Sequence, residues 1–229
     1  MATFYIVATP IGNLEDMTFR AIRILKEVDI ILCEDTRVTQ KLLKHYEIND
    51  KQLSTYNAQK SSVSFSKISN WIKEGKNLAL VTDAGTPGIS DPGSELVEKL
   101  KSEFSSEELK IEPIPGASAI VAAMSAAGIP AAEWTFLGFL PHKKGRETLF
   151  KEIAKGERTF VFYESPHRIM KTLEKLAQVI LDNRKVAVCK ELTKIHEEFV
   201  RGSAKEIFAH FRKNPDRVRG EFVVIVSKC

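Results

Sequence analysis

Two kinds of hydrophobic pattern alternate along this chain. Short, uninterrupted apolar runs, such as residues 3–8, 30–33 and 78–81, are typical of buried β-strands. Between these runs, apolar residues recur at helical spacing, as Ile22 and Leu25 do, and predict amphipathic helices. Strands that alternate with helices favour the α/β fold class.

Loops rich in glycine and proline follow several of the predicted strands. The run at 78–81 leads into residues 82–93, which contain three glycines and two prolines. Glycine lets the backbone approach a ligand closely, and proline makes a loop rigid. Asp83 follows the strand at its carboxyl end, where open α/β sheets bind their ligands. We therefore predict a ligand-binding loop here; the simpler alternative is a rigid turn in which Asp83 or Asp91 only caps a helix.

Charged side chains also gather where predicted strands end. Glu34, Asp35 and Arg37 directly follow the apolar run at residues 30–33. Further along the chain, the charged or titratable residues that follow strands are Glu164, His167, Arg168 and Lys190. Such clusters are placed to meet a ligand at the edge of a sheet, although a solvated turn would have the same composition.

The charge of the chain is distributed unevenly. The net charge is +4, but residues 1–139 carry 14 Lys and Arg against 18 Asp and Glu, whereas residues 140–229 carry 20 against 12. The basic second half offers a surface to a polyanion such as nucleic acid. Within it, Lys143 and Lys144 belong to a compact basic loop that is suited to phosphates. A merely solvated basic surface is the other interpretation.

Several classes of protein are disfavoured by what the sequence lacks. No apolar run approaches the length of a membrane span, and no basic residue precedes the first apolar run as in a signal peptide, so we expect a cytoplasmic protein. Cys33, Cys189 and Cys229 are far apart and odd in number, which argues against disulfides and a zinc site; we expect no metal. The GxGxxG, P-loop, GxSxG and HExxH patterns are absent.

Eight short motifs occur in a fixed order over residues 3–228. They are 9–13 (TPIGN), 18–21 (TFRA), 34–37 (EDTR), 81–93 (VTDAGTPGISDPG), 115–119 (PGASA), 136–141 (FLGFLP), 162–168 (FYESPHR) and 190–194 (KELTK). Taken together, they resemble the tetrapyrrole methylase superfamily, and within it the branch that modifies ribosomal RNA. Each motif alone is weak, but eight in order make the resemblance specific.

The resemblance implies two α/β/α domains, expected at residues 1–114 and 115–229, and a homodimer. It also implies S-adenosylmethionine folded into the cleft between the domains. Carried over position by position, the cofactor contacts would be Pro10, Asp83, Ala84, Gly85, Thr86, Pro87, Ile89, Ser118, Ala119, Tyr163 and Ala187. The implied reaction is methylation of the ribose 2′-hydroxyl of a cytidine in 16S ribosomal RNA of the small ribosomal subunit.

A ribose hydroxyl is a poor nucleophile and gains from a nearby proton acceptor. Our hypothesis is that Glu34, Asp35 or Glu164 accepts this proton, with Lys190 as an alternative base if burial lowers its pKa. The residues expected to hold RNA phosphates or the nucleotide are Arg37, Lys143, Lys144, His167, Arg168 and Lys190.

Two departures from the family pattern keep other functions open. Residues 54–60 lack a histidine that related enzymes usually carry there, and an additional C-terminal segment found in many members is missing. The alternatives are methylation of a tetrapyrrole such as uroporphyrinogen on carbon, and a non-catalytic RNA-binding protein of ribosome assembly.

Overall fold

The computed structural model describes residues 1–56 and 61–229, and for residues 61–64 it describes the backbone only. The chain divides into two compact units, residues 1–118 and 119–229. The sequence placed the division at 114/115, before the glycine-containing loop rather than after it. The altered stretch at 54–60 lies largely outside the described residues.

The first unit is built on a parallel five-stranded sheet in the order β3-β2-β4-β1-β5. Its strands are β1 (Ala2–Val7), β2 (Ile30–Cys33), β3 (Gln52–Thr55), β4 (Leu78–Leu80) and β5 (Leu109–Ile114). Its helices are α1 (Phe19–Glu27), α2 (Thr36–His45), α3 (Ser61–Lys73) and α4 (Gly93–Glu103).

Helices cover both faces of this sheet. Strand side chains alternate between the faces, so each strand packs against helices on both sides. Ile30 and Leu32 pack with α3 and α4 on one face. Ile31 and Cys33 pack with α1 and α2 on the other. The continuous apolar runs that predicted these strands are therefore explained by burial on both faces.

The second unit contains a mixed five-stranded sheet in the order β6-β7-β10-β8-β9. Its strands are β6 (Trp134–Phe139), β7 (Thr159–Glu164), β8 (Val186–Lys190), β9 (Glu198–Gly202) and β10 (Phe222–Val226). Its helices are α5 (Ala119–Ala126), α6 (Arg146–Lys155), α7 (Ile169–Val179) and α8 (Ala204–Lys213). The strand pairs β7–β10, β10–β8 and β8–β9 are antiparallel, and β6 runs parallel to β7.

One face of the second sheet carries the main core of the unit. Phe160, Val188 and Val224 pack there against α6, α7 and α8. The carboxyl ends of β6, β7 and β8 and the start of β10 share one edge of this sheet, since β10 runs against β7 and β8. None of the described helices is both long and apolar enough to cross a membrane. The predicted α/β class with two domains is confirmed.

Candidate functional site

The loops after β1, β4 and β5 meet at the carboxyl edge of the first sheet, because these strands are neighbours. Thr9 and Gly85 exchange two backbone hydrogen bonds, with N···O distances of 2.9 and 3.1 Å. The Thr9 hydroxyl donates to the carbonyl of Thr82 at 3.1 Å, and the Thr86 hydroxyl donates to the carbonyl of Ala117 at 3.1 Å. We call the resulting set the loop platform: residues 9–12, 82–93 and 115–118.

Two glycines allow these loops to come together. Gly85 has a φ of +86°, in the left-handed region that other residues rarely adopt. Gly116 lies so close to Ala8 that an added Cβ would stand 2.9 Å from the Ala8 Cβ. Gly85 and Gly116, in the motifs at 81–93 and 115–119, thus allow the backbone conformation and the close packing that the platform needs.

The two aspartates of the long loop have different roles. The Asp91 carboxylate accepts hydrogen bonds from the amides of Gly88 at 2.8 Å and Gly93 at 2.7 Å, so it ties the loop to the start of α4. The N-cap of α4 is Pro92, without a side-chain cap hydrogen bond, so Asp91 fixes the loop without being the helix cap. Asp83 is exposed, and its Oδ1 accepts from the amide of Asp35 at 3.3 Å.

The other predicted cofactor contacts of the first unit lie on the platform. Pro10, Gly85 and Pro87 are buried, Thr86 and Ser118 are half-buried, and Ala84 and Ile89 are exposed. The platform therefore presents a rigid backbone with a small, accessible set of side chains. This arrangement suits a small ligand that is recognised largely by main-chain groups.

Glu34 and Asp83 form a pair of carboxylates beside the platform. Partial burial raises the pKa of Glu34, and the nearby charges of Asp83 and Asp91 raise it further. Partial burial also raises the pKa of Asp83. A carboxylate whose pKa lies above its usual range is a stronger base than an ordinary one. The raised pKa of Glu34 is therefore in keeping with its predicted role as a proton acceptor.

Asp35 is occupied with local structure. It is the N-cap of α2 and accepts from the Arg37 amide at 2.8 Å, and it also pairs with the Arg37 guanidinium at 2.6 Å. The side-chain and backbone hydrogen bonds from Arg37 lower the pKa of Asp35 to about 2. Such a weak base argues against the prediction that Asp35 accepts the proton. Arg37 remains exposed.

In the second unit, β10 pairs with both β7 and β8. The register of these two pairings places Tyr163 and Ala187 an even number of positions apart, so both side chains lie on the same face of the sheet. This face is opposite the main core. The Ile120 amide donates towards the Tyr163 hydroxyl, and burial raises the pKa of Tyr163 to about 12. The hydroxyl therefore stays protonated and lies beside the start of α5, whose first residue is the predicted contact Ala119.

Arg201 secures the other end of α5, and the sequence did not indicate this role. Its guanidinium donates to the carbonyls of Ala127 at 2.9 Å and Ala126 at 2.7 Å and stacks on Phe199. Carbonyls at a helix end lack intrahelical partners, so a cation there is stabilising. No sequence signal connects Arg201 to α5, because the two are distant along the chain.

Glu164 is buried in an ion-pair cluster. The residue is only 1% exposed, and its carboxylate pairs with Arg168 at 2.9 Å and with Arg146 at 3.3 Å. It also accepts from the Thr172 hydroxyl at 2.6 Å and the Ser165 amide at 3.0 Å. Both carboxylate oxygens are therefore occupied, which argues against the prediction that Glu164 accepts a proton from substrate.

The arginines of this Glu164 cluster (Arg146, Glu164, Arg168 and Thr172) face inwards. Arg168 donates to the carbonyl of Leu140 at 2.7 Å, and Arg146 donates to that of Pro141 at 3.2 Å. Both therefore fix the end of β6. Arg168 supports this loop, whereas the sequence predicted that it binds RNA. The roles of Arg146 and Thr172 were not predicted.

Three of the predicted substrate contacts are exposed at the same edge of the second sheet, whereas Lys190 is buried there. Lys143 and Lys144 lie in the loop after β6, and His167 lies in the turn after β7. Lys190 ends β8 and points to the face opposite that of Ala187, because three positions separate them. Among the described residues, no cluster of three or more His, Cys, Asp or Glu could hold a metal ion.

The fold and the loop platform define a two-unit α/β protein with glycine-rich loops gathered at one edge of its first sheet. The model of the Tetrapyrrole (Corrin/Porphyrin) Methylases matches residues 3–207. The chain therefore belongs to this family, and the resemblance drawn from the eight motifs is confirmed.

Two named relatives are similar over almost the whole chain. A protein of Halalkalibacterium halodurans named "Ribosomal RNA small subunit methyltransferase I" is 48% identical over 226 residues, which cover 98% of this chain and 75% of the relative. The protein of the same name from Thermotoga maritima is 44% identical over 227 residues, which cover 99% of each chain.

Solved structures support the fold. The methyltransferase CobJ matches with a TM-score of 0.71 and 20% identity, over 100% of this chain and 95% of that one. Uroporphyrin-III C-methyl transferase from Thermus thermophilus, complexed with S-adenyl homocysteine, matches with a TM-score of 0.65 and 16% identity, over 99% and 97% of the two chains.

Proposed function

We propose that this protein is an S-adenosylmethionine-dependent methyltransferase that methylates the ribose 2′-hydroxyl of a cytidine in 16S ribosomal RNA. The observation that carries the proposal is the identity of 48% and 44%, over nearly the whole chain, to relatives named for methylation of the small-subunit ribosomal RNA. The basic composition of residues 140–229 supports a polyanionic substrate.

S-adenosylmethionine is the proposed methyl donor, supported by the S-adenyl homocysteine in a structure of the same fold. The loop platform would hold it, with main-chain groups near Gly85 and with the exposed Asp83 carboxylate as acceptor for the ammonium of the methionine moiety. Because this cofactor carries no pyrophosphate, the absence of a GxGxxG fingerprint is expected. Tyr163, Ala187 and Ala119 are proposed as further contacts from the second unit.

Methyl transfer is an in-line displacement at a sulfonium methyl group, so positioning supplies much of the rate. We assign proton acceptance to Glu34, since its raised pKa makes it a stronger base than Asp35. Glu34 lies next to Asp83 at the platform edge, which is the proposed cofactor side of the first sheet. The hydroxyl proton would pass to the Glu34 carboxylate as the oxygen takes the methyl group.

Three exposed side chains at the edge of the second sheet are the proposed RNA contacts. Lys143, Lys144 and His167 project from two adjacent loops. The Glu164 cluster holds the first of these loops in place through the carbonyls of Leu140 and Pro141. Contacts of this kind neutralise phosphates and position the RNA, while base contacts select the nucleotide.

We further propose that the protein acts in the cytoplasm as a homodimer, as the family resemblance implies. Exposed apolar side chains are available for association, among them Phe19 at the start of α1. The concentration dependence of the molecular mass in solution tests the dimer directly.

The second candidate is C-methylation of a tetrapyrrole, supported by the fold shared with uroporphyrin-III C-methyl transferase. Incubation with S-adenosylmethionine labelled in its methyl group, together with either small-subunit particles or uroporphyrinogen, separates the two. We expect label in the RNA, in a 2′-O-methylcytidine after digestion. Label in the tetrapyrrole would replace the proposal, and label in neither would favour a non-catalytic RNA-binding protein.

A further inference from the structure

A pocket of about 570 Å³ opens at the same edge of the second sheet as the basic loops. It is lined by the last residue of β8, by the turn between β8 and β9, and by the segment before β10. Its volume lies in the range of small-ligand sites, roughly 300–1,000 Å³. The pocket is therefore large enough for one nucleotide.

The wall of the pocket is built from a constrained turn. Glu191 and Thr193 have φ values of +48° and +65°, in the left-handed region, although neither is glycine. Gly220 faces this turn so closely that an added Cβ would stand 2.3 Å from the Glu191 carboxyl carbon. Such strained backbone persists only where the surroundings hold it and is common at binding sites. The pocket is preformed in this sense.

Lys190 lies in the lining and is almost fully enclosed. The residue is 7% exposed, and the described part of the chain provides its ammonium with neither a hydrogen bond nor an ion pair. An ammonium that is not committed to a carboxylate is available to bind an anion in the pocket. Arg219 adds a second, exposed cation to the lining.

The carboxylates of the lining are largely committed to other groups. Glu191 accepts from Lys194 at 2.9 Å and from the Glu221 amide at 2.9 Å. The carboxylate of Glu198 accepts from Arg217 at 2.7 Å.

The two remaining carboxylates of the lining are exposed. Glu197 accepts from the Thr193 amide at 2.7 Å, whereas Asp216 stands in the first turn before β10. Asp216 is thus the one lining carboxylate for which the described residues show no hydrogen bond or ion pair, and it lines the pocket together with Lys190 and Arg219.

We propose that this pocket binds one nucleotide of the RNA, with a backbone phosphate on Lys190 and Arg219 and with the ribose or base against Ile195. Ile195 is 97% exposed and lies in the lining, so it offers an apolar surface to an unstacked nucleotide. The inference rests on the proposed function, since it assumes that RNA is the substrate. Of the two roles that the sequence left open for Lys190, base or RNA contact, it selects the RNA contact.

The position of Lys190 in the strand supports this assignment. Its side chain shares a face of the sheet with Val188, which packs in the main core, whereas Ala187 and Tyr163 lie on the opposite face. If the cofactor meets the second unit on the Ala187 face, Lys190 is on the wrong side to remove the hydroxyl proton. It is correctly placed to hold RNA that crosses the sheet edge.

The test measures RNA affinity by fluorescence anisotropy of a short, labelled single-stranded RNA at several salt concentrations. Lys190→Met and Arg219→Ala are each compared with wild type and with Arg158→Ala, an exposed arginine just before β7 at the opposite edge of the sheet. We expect each pocket variant to bind RNA about tenfold more weakly than wild type. The slope of log affinity against log salt concentration should be smaller in magnitude by about one. S-adenosylmethionine affinity and the behaviour of Arg158→Ala should match wild type.

The outcomes separate this inference from the proposed function. If wild type binds and methylates RNA but both pocket variants keep its affinity and salt dependence, the pocket proposal is overturned and the function stands. If Lys190→Met loses turnover at saturating RNA with unchanged RNA affinity, Lys190 is a base and the proposal is also overturned. If wild type neither binds nor methylates RNA, the proposed function itself fails. Arg219→Ala keeps the test valid if Lys190→Met does not fold, because Arg219 is exposed.

Discussion

Replacing Glu164 with glutamine tests whether this residue is structural or catalytic. Glutamine keeps the shape of the side chain and so creates no cavity, but it removes the negative charge. Arg146 and Arg168, with side chains only 16% and 17% exposed, would then lack their counterion. The perturbation is therefore confined to the charge balance of the Glu164 cluster.

The expected loss follows from the enclosure of the cluster. Breaking a buried ion pair by removing one partner costs about 3–5 kcal/mol. For a chain of this size, that loss lowers the melting temperature by roughly 6–20 °C. Glu147→Gln is the matched control, since Glu147 forms a 2.8 Å pair with Lys175 in the same unit but is largely exposed. An exposed pair contributes about 0–1 kcal/mol.

Equilibrium unfolding in urea, followed by circular dichroism, measures both variants against wild type. The reasoning is refuted if Glu164→Gln unfolds within about 1 kcal/mol of wild type, as the control should. If the variant is as stable as wild type, still binds S-adenosylmethionine and yet transfers no methyl group, then Glu164 is the proton acceptor after all.

Three further predictions concern the first unit. Glu34→Gln should lower the methyl-transfer rate by about 10²–10⁴-fold, with S-adenosylmethionine affinity retained. Wild-type activity should fall as the pH drops through the pKa of Glu34, which lies above its usual 4.5. A full rate in the variant would exclude Glu34 as the base. Gly85→Ala should cost about 1–2 kcal/mol and weaken cofactor binding in calorimetry, whereas Gly75→Ala, also at positive φ but with open space around it, should only destabilise. Arg37 lowers the pKa of Asp35 to about 2, so the stabilisation that ionised Asp35 provides is complete above pH 3.8, its ordinary pKa, and is lost towards pH 2. The difference in unfolding free energy between wild type and Asp35→Asn should therefore narrow from pH 3.8 to pH 2. A difference that stays constant would contradict the pairing of Asp35 with Arg37.

Local pattern was sufficient for most of the elements. The strand at Ile30–Cys33 was predicted at its observed bounds, because it is a short apolar run between turns. Thr18 caps α1 through its hydroxyl, which accepts a hydrogen bond from the Ala21 amide. Hydrogen bonds from neighbouring side chains set the ends of helices, as at α2, which begins at Thr36 because Asp35 caps it.

The sequence by itself determined the α/β class, the family and the glycine-rich loops that form the platform, since these depend on residue type and order along the chain. Only the tertiary structure distinguished the strand-end charges from one another. Glu34 directly follows β2, and Glu164 is the last residue of β7. Arg146 and Thr172 enclose Glu164, whereas Glu34 is exposed. The direction of Lys190 likewise followed from strand register. Burial and pairing depend on residues far apart along the chain, so local pattern does not specify them.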